Sequence, residues 1–234
     1  MSERPLLLVT GIAEGLGAAT ARTFAEAGYD VAGVARSDRA VPTVARAVTE
    51  HGGLYTHVTC DLARPAELAA ALGPQAGRVT AFVHNAACLL ISPFDEITVG
   101  DFEQVWRVNC LAAVAAAQLV LPGMVARKSG TVIFAGATAG RRGNAKFAAF
   151  ASSKFAVRGL AQALAREYGP RGVHVAHVVL DGLIDEAQTD QRFGPASSPR
   201  MDADAIARAY LQLAQQHPSA WTQELDLRPY SERF

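Results

Sequence analysis

Three glycines near the N-terminus are spaced for holding a phosphate group. They are Gly11, Gly15 and Gly17 of the segment Thr10–Gly17, which lies between an apolar run and a helix-forming run. Gly11 permits a tight turn, Gly15 lets the backbone approach a pyrophosphate, and Gly17 lets a helix pack closely on a strand. The amides at the start of that helix then face the anion. The segment predicts a dinucleotide site whose contacts are Gly11, Ile12, Glu14, Gly15, Leu16 and Gly17.

Further motifs follow this turn in an order that resembles the short-chain dehydrogenase/reductase family over nearly the whole chain. Asp61-Leu62 resembles the family's adenine-contacting Asp, and His84-Asn85-Ala86-Ala87 resembles its NNAG motif. Asn109 resembles the family's active-site Asn, and Lys154 resembles the Lys of its YxxxK motif. The resemblance implies further cofactor contacts at Asp61, Leu62, Asn85, Ala86, Lys154, Gly182 and Ile184.

The end of the second predicted strand bears on the choice of dinucleotide. An acidic residue there would accept hydrogen bonds from the adenosine ribose, but Ala35 occupies that place and Arg36 follows it. The planar guanidinium of Arg36 suits a 2′-phosphate, although a solvated strand-end charge is the alternative. Glu14 argues the other way, because its charge would repel a nearby phosphate. We expect NADP(H) to bind more tightly than NAD(H).

Two positions that carry the family's acid–base chemistry hold residues that cannot perform it. Carbonyl reduction by a nicotinamide needs a proton at oxygen as hydride reaches carbon. The family takes that proton from a Tyr four residues before the Lys, and a Ser polarises the carbonyl. Here Phe150 stands four residues before Lys154, and Ala137 stands at the Ser position. After the sixth strand, Asp181-Gly182 replaces Pro-Gly and Glu186 replaces a nicotinamide-contacting Thr, so the resemblance implies an altered nicotinamide placement.

Five side chains are candidates for the missing catalytic work. Lys154 and Asn109 could hold a water that delivers the proton. Thr138 carries a hydroxyl beside the lost Ser, although the next residue along a strand points to the other face. His84 could titrate near neutrality, with a hydrogen-bonded strand-end histidine as the alternative. Asp181 lies at the carboxyl end of a strand, where α/β active sites gather, with a loop cap as the alternative.

Three functions are compatible with these residues. The first is an NADP-dependent oxidoreductase with an unusual proton donor, acting on a small molecule. The second is a lyase or isomerase that uses Asp181 and His84, and the third is a cofactor-binding protein without catalysis. We favour the first, because a fully decayed site would have little use for Lys154 and Asn109. The substrate stays open, since specificity in such folds lies in loops.

The spacing of apolar residues predicts one α/β domain over residues 1–234, a Rossmann fold with a doubly wound parallel sheet of about seven strands. The predicted strands are Pro5–Thr10, Asp30–Ala35, Leu54–Thr59, Val79–His84, Gly130–Ala135, Val173–Leu180 and Trp221–Leu227. The predicted helices are Gly15–Gly28, Val41–His51, Pro65–Leu72, about Thr98–Met124, Ala148–Tyr168 and Asp202–His217. The polar segment Asp185–Arg200 is predicted to be a mobile loop.

Composition narrows the setting and the partners. The 22 basic and 22 acidic residues balance, so neither nucleic acid nor an anionic membrane is an expected partner. The three cysteines lack CxxC spacing and indicate a reducing compartment without a disulfide framework or metal site. No signal peptide or clean membrane span is expected, Leu111–Val125 coming closest, so the cytoplasm is the expected location.

The two longest predicted helices indicate self-association. About Thr98–Met124 and Ala148–Gly169 are both too apolar to be one-sided surface helices. The family commonly pairs these helices across a two-fold axis, so the resemblance implies a homodimer or homotetramer. An active homologous subunit is the alternative partner.

Overall fold

Seven parallel strands form one sheet in the computed structural model, which describes residues 4–231. Their spatial order is β3-β2-β1-β4-β5-β6-β7, which confirms the predicted doubly wound Rossmann fold. The strands are β1 (Leu6–Thr10), β2 (Asp30–Ala35), β3 (Tyr55–Thr59), β4 (Val79–His84), β5 (Thr131–Ala135), β6 (His174–Leu180) and β7 (Glu224–Leu227).

Helices cover both faces of the sheet, and each face has its own apolar core. The helices are α1 (Leu16–Glu26), α2 (Val41–Thr49), α3 (Leu68–Leu72), α4 (Val99–Trp106), α5 (Ala112–Arg127), α6 (Ala148–Tyr168), α7 (Ala187–Phe193) and α8 (Ala203–Ala214). All residues of β1, β5 and β6 are buried, as expected for parallel strands covered on both sides. The predicted strands and long helices are therefore confirmed within a few residues at their ends.

Strand register brings four chain segments to one edge of the sheet. Thr10 pairs with His84 across β1 and β4, and Ala135 pairs with Val178 across β5 and β6. The segments that follow these strands hold the glycine turn, Asn85, Ala137 and Asp181. The strand order reverses direction between β1 and β4, which is where ligands bind in open α/β sheets.

A π-helical turn, Arg107–Leu111, joins α4 to α5 and places Asn109 inside the protein. Helix α4 begins with a capping interaction, since Thr98 Oγ1 accepts from the Asp101 amide at 3.1 Å. The continuous run Val99–Arg127 has a mean hydropathy of 1.8 and is long enough to cross a membrane. The expectation that no stretch reaches this length was therefore wrong, but half of the run's apolar window is buried inside the protein.

The segment Asp185–Arg200 was predicted to be a loop, and this prediction was wrong in part. Ala187–Phe193 forms α7, which ends at Gly194 with a φ of +78°. The Arg200 guanidinium donates to Asp190 at 2.7 Å and holds the end of the segment against this helix. The residues of this segment that favour a loop, Gly194, Pro195 and Pro199, all lie after the short helix.

Candidate active site

A cavity of about 590 Å³ opens at the carboxyl ends of β1, β4, β5 and β6. The predicted residues that line it are Gly11, Glu14, Leu16, Gly17, Asn85, Thr138, Lys154, Asp181, Gly182 and Ile184. Leu89, Gln188 and Arg192 also line it, and they lie in the segments Cys88–Ile97 and Asp185–Arg200, where loops that set specificity are expected. Arg142, Asn144 and Phe147 were not predicted from the sequence, although they follow β5 and the rule that α/β sites gather at strand ends could have found them.

Backbone hydrogen bonds hold the glycine turn between β2 and β4. The amides of Gly11 and Ile12 both donate to Val34 O, at 2.8 and 3.0 Å. Gly11 has a φ of +77°, and a Cβ there would lie 2.4 Å from the Ala86 Cα. Only glycine permits this approach, so the turn and the segment after β4 are locked together at the edge of the cavity.

The start of α1 holds a carboxylate from another segment of the chain. The residue before the helix, Gly15, has a φ of +82° and provides no side-chain cap. The Leu16 amide donates instead to the Glu186 carboxylate, with an N–Oε2 distance of 3.3 Å. A helix start that holds a carboxylate in a glycine turn also suits the pyrophosphate of a dinucleotide. The turn therefore has the donors and the clearance that such a group requires.

The other predicted cofactor residues lie around the cavity rather than in it. Arg36 is exposed beyond β2. Asp61 is half-buried, and its Oδ1 accepts from the Ala63 amide at 3.0 Å. Ile12, Leu62 and Ala86 are buried and belong to the apolar cores. The proposed cofactor contacts of these residues stay predictions. The contacts that their side chains make within the protein can be explained without a bound ligand.

Lys154 is the buried cation of the cavity. Its side chain extends from α6, and its Nζ donates to Ala135 O at 2.8 Å. Burial lowers the pKa of Lys154 to about 8. Its Nζ also lies 5.7 Å from the centroid of the Phe150 ring, close enough for a cation–π interaction.

Phe150 and Ala137 face the same cavity as Lys154. Phe150 packs with Ala139 and Ala151 in a small apolar cluster, which Ala137 borders. Neither side chain has a proton to give, so the two side chains contribute shape and no hydrogen bonds to the cavity.

His84 does not line the cavity, and its burial contradicts its candidacy as a group that titrates near neutrality. It is fully buried, with Nδ1 2.8 Å from Thr10 Oγ1 and Nε2 3.1 Å from Asn109 O. Burial, with a smaller effect of Lys154, lowers the pKa of His84 to about 3. The imidazole is therefore neutral at ordinary pH, in agreement with the alternative of a hydrogen-bonded strand-end histidine.

The side chain of Asn109 links two segments of the protein through hydrogen bonds. Its Nδ2 donates to Ser153 Oγ at 2.9 Å and to Cys88 O at 3.2 Å. Its Oδ1 accepts from the Cys88 amide at 2.6 Å. The side chain is fully buried and joins the segment after β4 to α6. The structure thus gives the Asn109 side chain a positioning role, because its amide nitrogen and oxygen are bonded to Ser153 and Cys88.

Thr138 and Asp181 form a pair on the cavity wall. Thr138 was expected to point away, but it starts a 3₁₀ turn after β5 and lines the cavity. Its hydroxyl donates to Asp181 Oδ1, while Asp181 Oδ2 lies 3.4 Å from Arg228 Nη1. Because a carboxylate only accepts, the single hydroxyl proton of Thr138 is committed to Asp181. Thr138 can accept a hydrogen bond from a ligand, but it cannot polarise a carbonyl as a Ser donor would.

Comparison with known proteins gives one consistent result. The sequence model described as short chain dehydrogenase matches residues 5–193. The uncharacterized oxidoreductase YciK of Escherichia coli is 31% identical over 173 residues, which cover 71% of this chain and 69% of that protein. A metagenomic short-chain oxidoreductase in complex with NADP has a TM-score of 0.83 at 27% identity, covering 97% of this chain and 98% of the other. A short-chain dehydrogenase from Sphingobium yanoikuyae in complex with NADPH has a TM-score of 0.82 at 26% identity, covering 98% and 89%.

Proposed function

Since this chain belongs to the short-chain dehydrogenase/reductase family of oxidoreductases, we propose that it binds NADP(H) and reduces or oxidises a small carbonyl or alcohol compound. The observation that carries this proposal is the arrangement of one cavity. The glycine turn and the start of α1, which has no side-chain cap at Gly15, lie at one side of it, and the buried ammonium of Lys154 lines it as well. Solved relatives that hold NADP and NADPH support the choice of cofactor. When bound, NADPH supplies hydride to a carbonyl carbon.

We assign the proton of the reaction to Lys154. An ammonium has three N–H donors, and one is used by Ala135 O. A pKa of about 8 keeps the group mostly protonated at neutral pH and still able to release a proton. In the reducing direction the carbonyl carbon gains hydride, its oxygen gains the Lys154 proton, and the neutral amine is reprotonated from solvent. The side chains of Phe150 and Ala137 face the same cavity and have no proton of their own to donate.

Arg36 is proposed to select NADP(H) through its 2′-phosphate. Replacing Arg36→Ala is expected to weaken NADPH binding by roughly 10-fold, the loss of about one charge-assisted pair. NADH binding should change little, because that cofactor has no 2′-phosphate. Calorimetric titration of both cofactors checks this, with Arg39→Ala as the matched control, since Arg39 is a second exposed arginine in the same loop. Equal affinity of the native protein for both cofactors, or a loss confined to Arg39→Ala, would show that Arg36 does not select.

We also propose that the long helices pair two copies of this chain. Leu111 at the π turn and Phe155 on α6 are exposed apolar residues, at 42% and 43% of their surface. Sedimentation should show a dimer or tetramer at micromolar concentration, and Leu111→Glu with Phe155→Glu should shift it toward monomer. Phe94→Glu is the control, because Phe94 is also exposed but lies before α4, outside the long helices. A native monomer would remove the proposal, and co-purification of a related chain would point to a mixed assembly.

A second function is favoured by one observation, the absence of a hydroxyl donor at Phe150 and Ala137 on the described cavity wall. This wall would suit a protein that binds the cofactor without turning it over. A single-turnover measurement of NADPH oxidation over a panel of carbonyl compounds separates the two functions. Oxidation of a stoichiometric amount of cofactor supports the oxidoreductase, and tight binding with no oxidation supports the second function.

A further inference from the structure

Glu186 places a carboxylate in the glycine turn. Its Oε2 accepts from the Leu16 amide at 3.3 Å, and a Cβ built at Gly15 would lie 2.1 Å from the same oxygen. The carboxylate therefore fills the space that the missing side chain of Gly15 leaves open. It also takes up the first free amide of α1, which is the part of the helix that attracts anions.

The position of Glu186 in the chain explains how it reaches the turn. It directly precedes α7, and its backbone is extended. Ile184 pairs with Met201 in an isolated β-bridge, so the two ends of the segment between them lie side by side. The carboxylate is half-buried, and burial raises its pKa while the Leu16 amide partly offsets this effect. Its carboxyl group thus reaches the turn from a segment 170 residues away in the sequence.

We propose that Glu186 competes internally with the diphosphate of the cofactor, so that NADP(H) binds only after this carboxylate leaves the glycine turn. The inference rests on the proposed function and adds a control on the same site. Two anions cannot share the amides of Leu16 and Gly17, and a carboxylate beside a diphosphate is repelled in a partly desolvated cleft. Binding is therefore coupled to movement of Glu186 and the start of α7. The native protein therefore binds NADP(H) less tightly than the glycine turn would bind it without Glu186.

Removal of the charge should strengthen binding. Glu186→Gln keeps the size of the side chain, and Glu186→Ala empties the turn. Both are expected to lower the Kd for NADPH by roughly 10-fold or more, the effect of one lost unfavourable charge contact. Glu26→Gln is the matched control, because it removes one exposed carboxylate from the far end of the same helix, α1. Its effect should stay within about threefold.

Calorimetry with NADPH and, separately, with inorganic pyrophosphate measures these affinities. The pyrophosphate arm tests the turn itself and does not depend on the nicotinamide end of the site. Tighter binding of both probes by the two Glu186 variants, and not by Glu26→Gln, supports the competition. Unchanged or weaker binding of both probes by folded Glu186 variants overturns it. If pyrophosphate binding tightens but no variant binds NADPH, the proposed cofactor is wrong while the competition at the turn stands.

Discussion

Phe150→Tyr combined with Ala137→Ser is expected to raise NADPH-dependent reduction of simple ketones by roughly 10²–10⁴-fold, the contribution of a positioned general acid. The new phenol would lie beside Lys154, whose Nζ is 5.7 Å from the present ring centroid. The ammonium would lower the pKa of the phenol by stabilising the phenolate. The new Ser hydroxyl would donate to the carbonyl oxygen. Initial rates with a panel of ketones measure the gain.

The double variant should fold, because each change adds a single oxygen atom. Both side chains line the cavity, so the added hydroxyls meet open space rather than packed core. Phe147→Tyr is the matched control, since it adds the same hydroxyl to another ring on the cavity wall. It should give no gain. A double variant that folds and binds NADPH but stays inert would show that the cavity no longer places a carbonyl beside Lys154.

Lys154→Met is expected to lower the turnover of the native protein by roughly 10²–10⁴-fold, the contribution of a general acid. The same proposal fixes the direction of the pH dependence. Reduction needs the ammonium, which is present below a pKa of about 8 and lost as the pH rises through it. The kcat/KM for reduction should therefore fall above pH 8, and that for alcohol oxidation should rise over the same range.

Profiles of kcat/KM against pH in both directions measure this effect. NADPH affinity of Lys154→Met, determined by calorimetry, separates a loss of proton transfer from a loss of cofactor binding. Arg158→Met is a control on the same helix, because Arg158 pairs with Glu224 at 2.7 Å and does not line the cavity. A flat profile from pH 7 to 9.5, or full activity without Lys154, would assign the proton to another group.

Much of the fold could be predicted because the signals are local. Buried parallel strands are continuous apolar runs, and the ends of helices carry capping residues such as Thr98 with Asp101. The glycine turn could also be predicted, because Gly11 and Gly15 have backbone angles and contacts that only glycine tolerates. Phe150 and Ala137 follow from counting along the chain, and both do face the cavity.

The parts that could not be predicted depend on contacts between distant segments. The pKa of His84 is set by complete burial, which its position at a strand end does not reveal. Thr138 turns toward the cavity because a 3₁₀ turn begins there instead of a further strand residue. The Asp181–Arg228 pair and the reach of Glu186 to Leu16 join residues far apart in sequence. The order of residue types in a single sequence does not indicate which distant residues will form such pairs.

A crystal structure of the protein with NADPH tests the central claim most directly. We expect the diphosphate to accept hydrogen bonds from the amides of Leu16 and Gly17, with the Glu186 carboxylate displaced from the turn. We also expect the nicotinamide ring in the part of the cavity lined by Lys154, Phe150 and Ala137. Cofactor bound away from the glycine turn, or a nicotinamide directed away from Lys154, would contradict the proposed oxidoreductase.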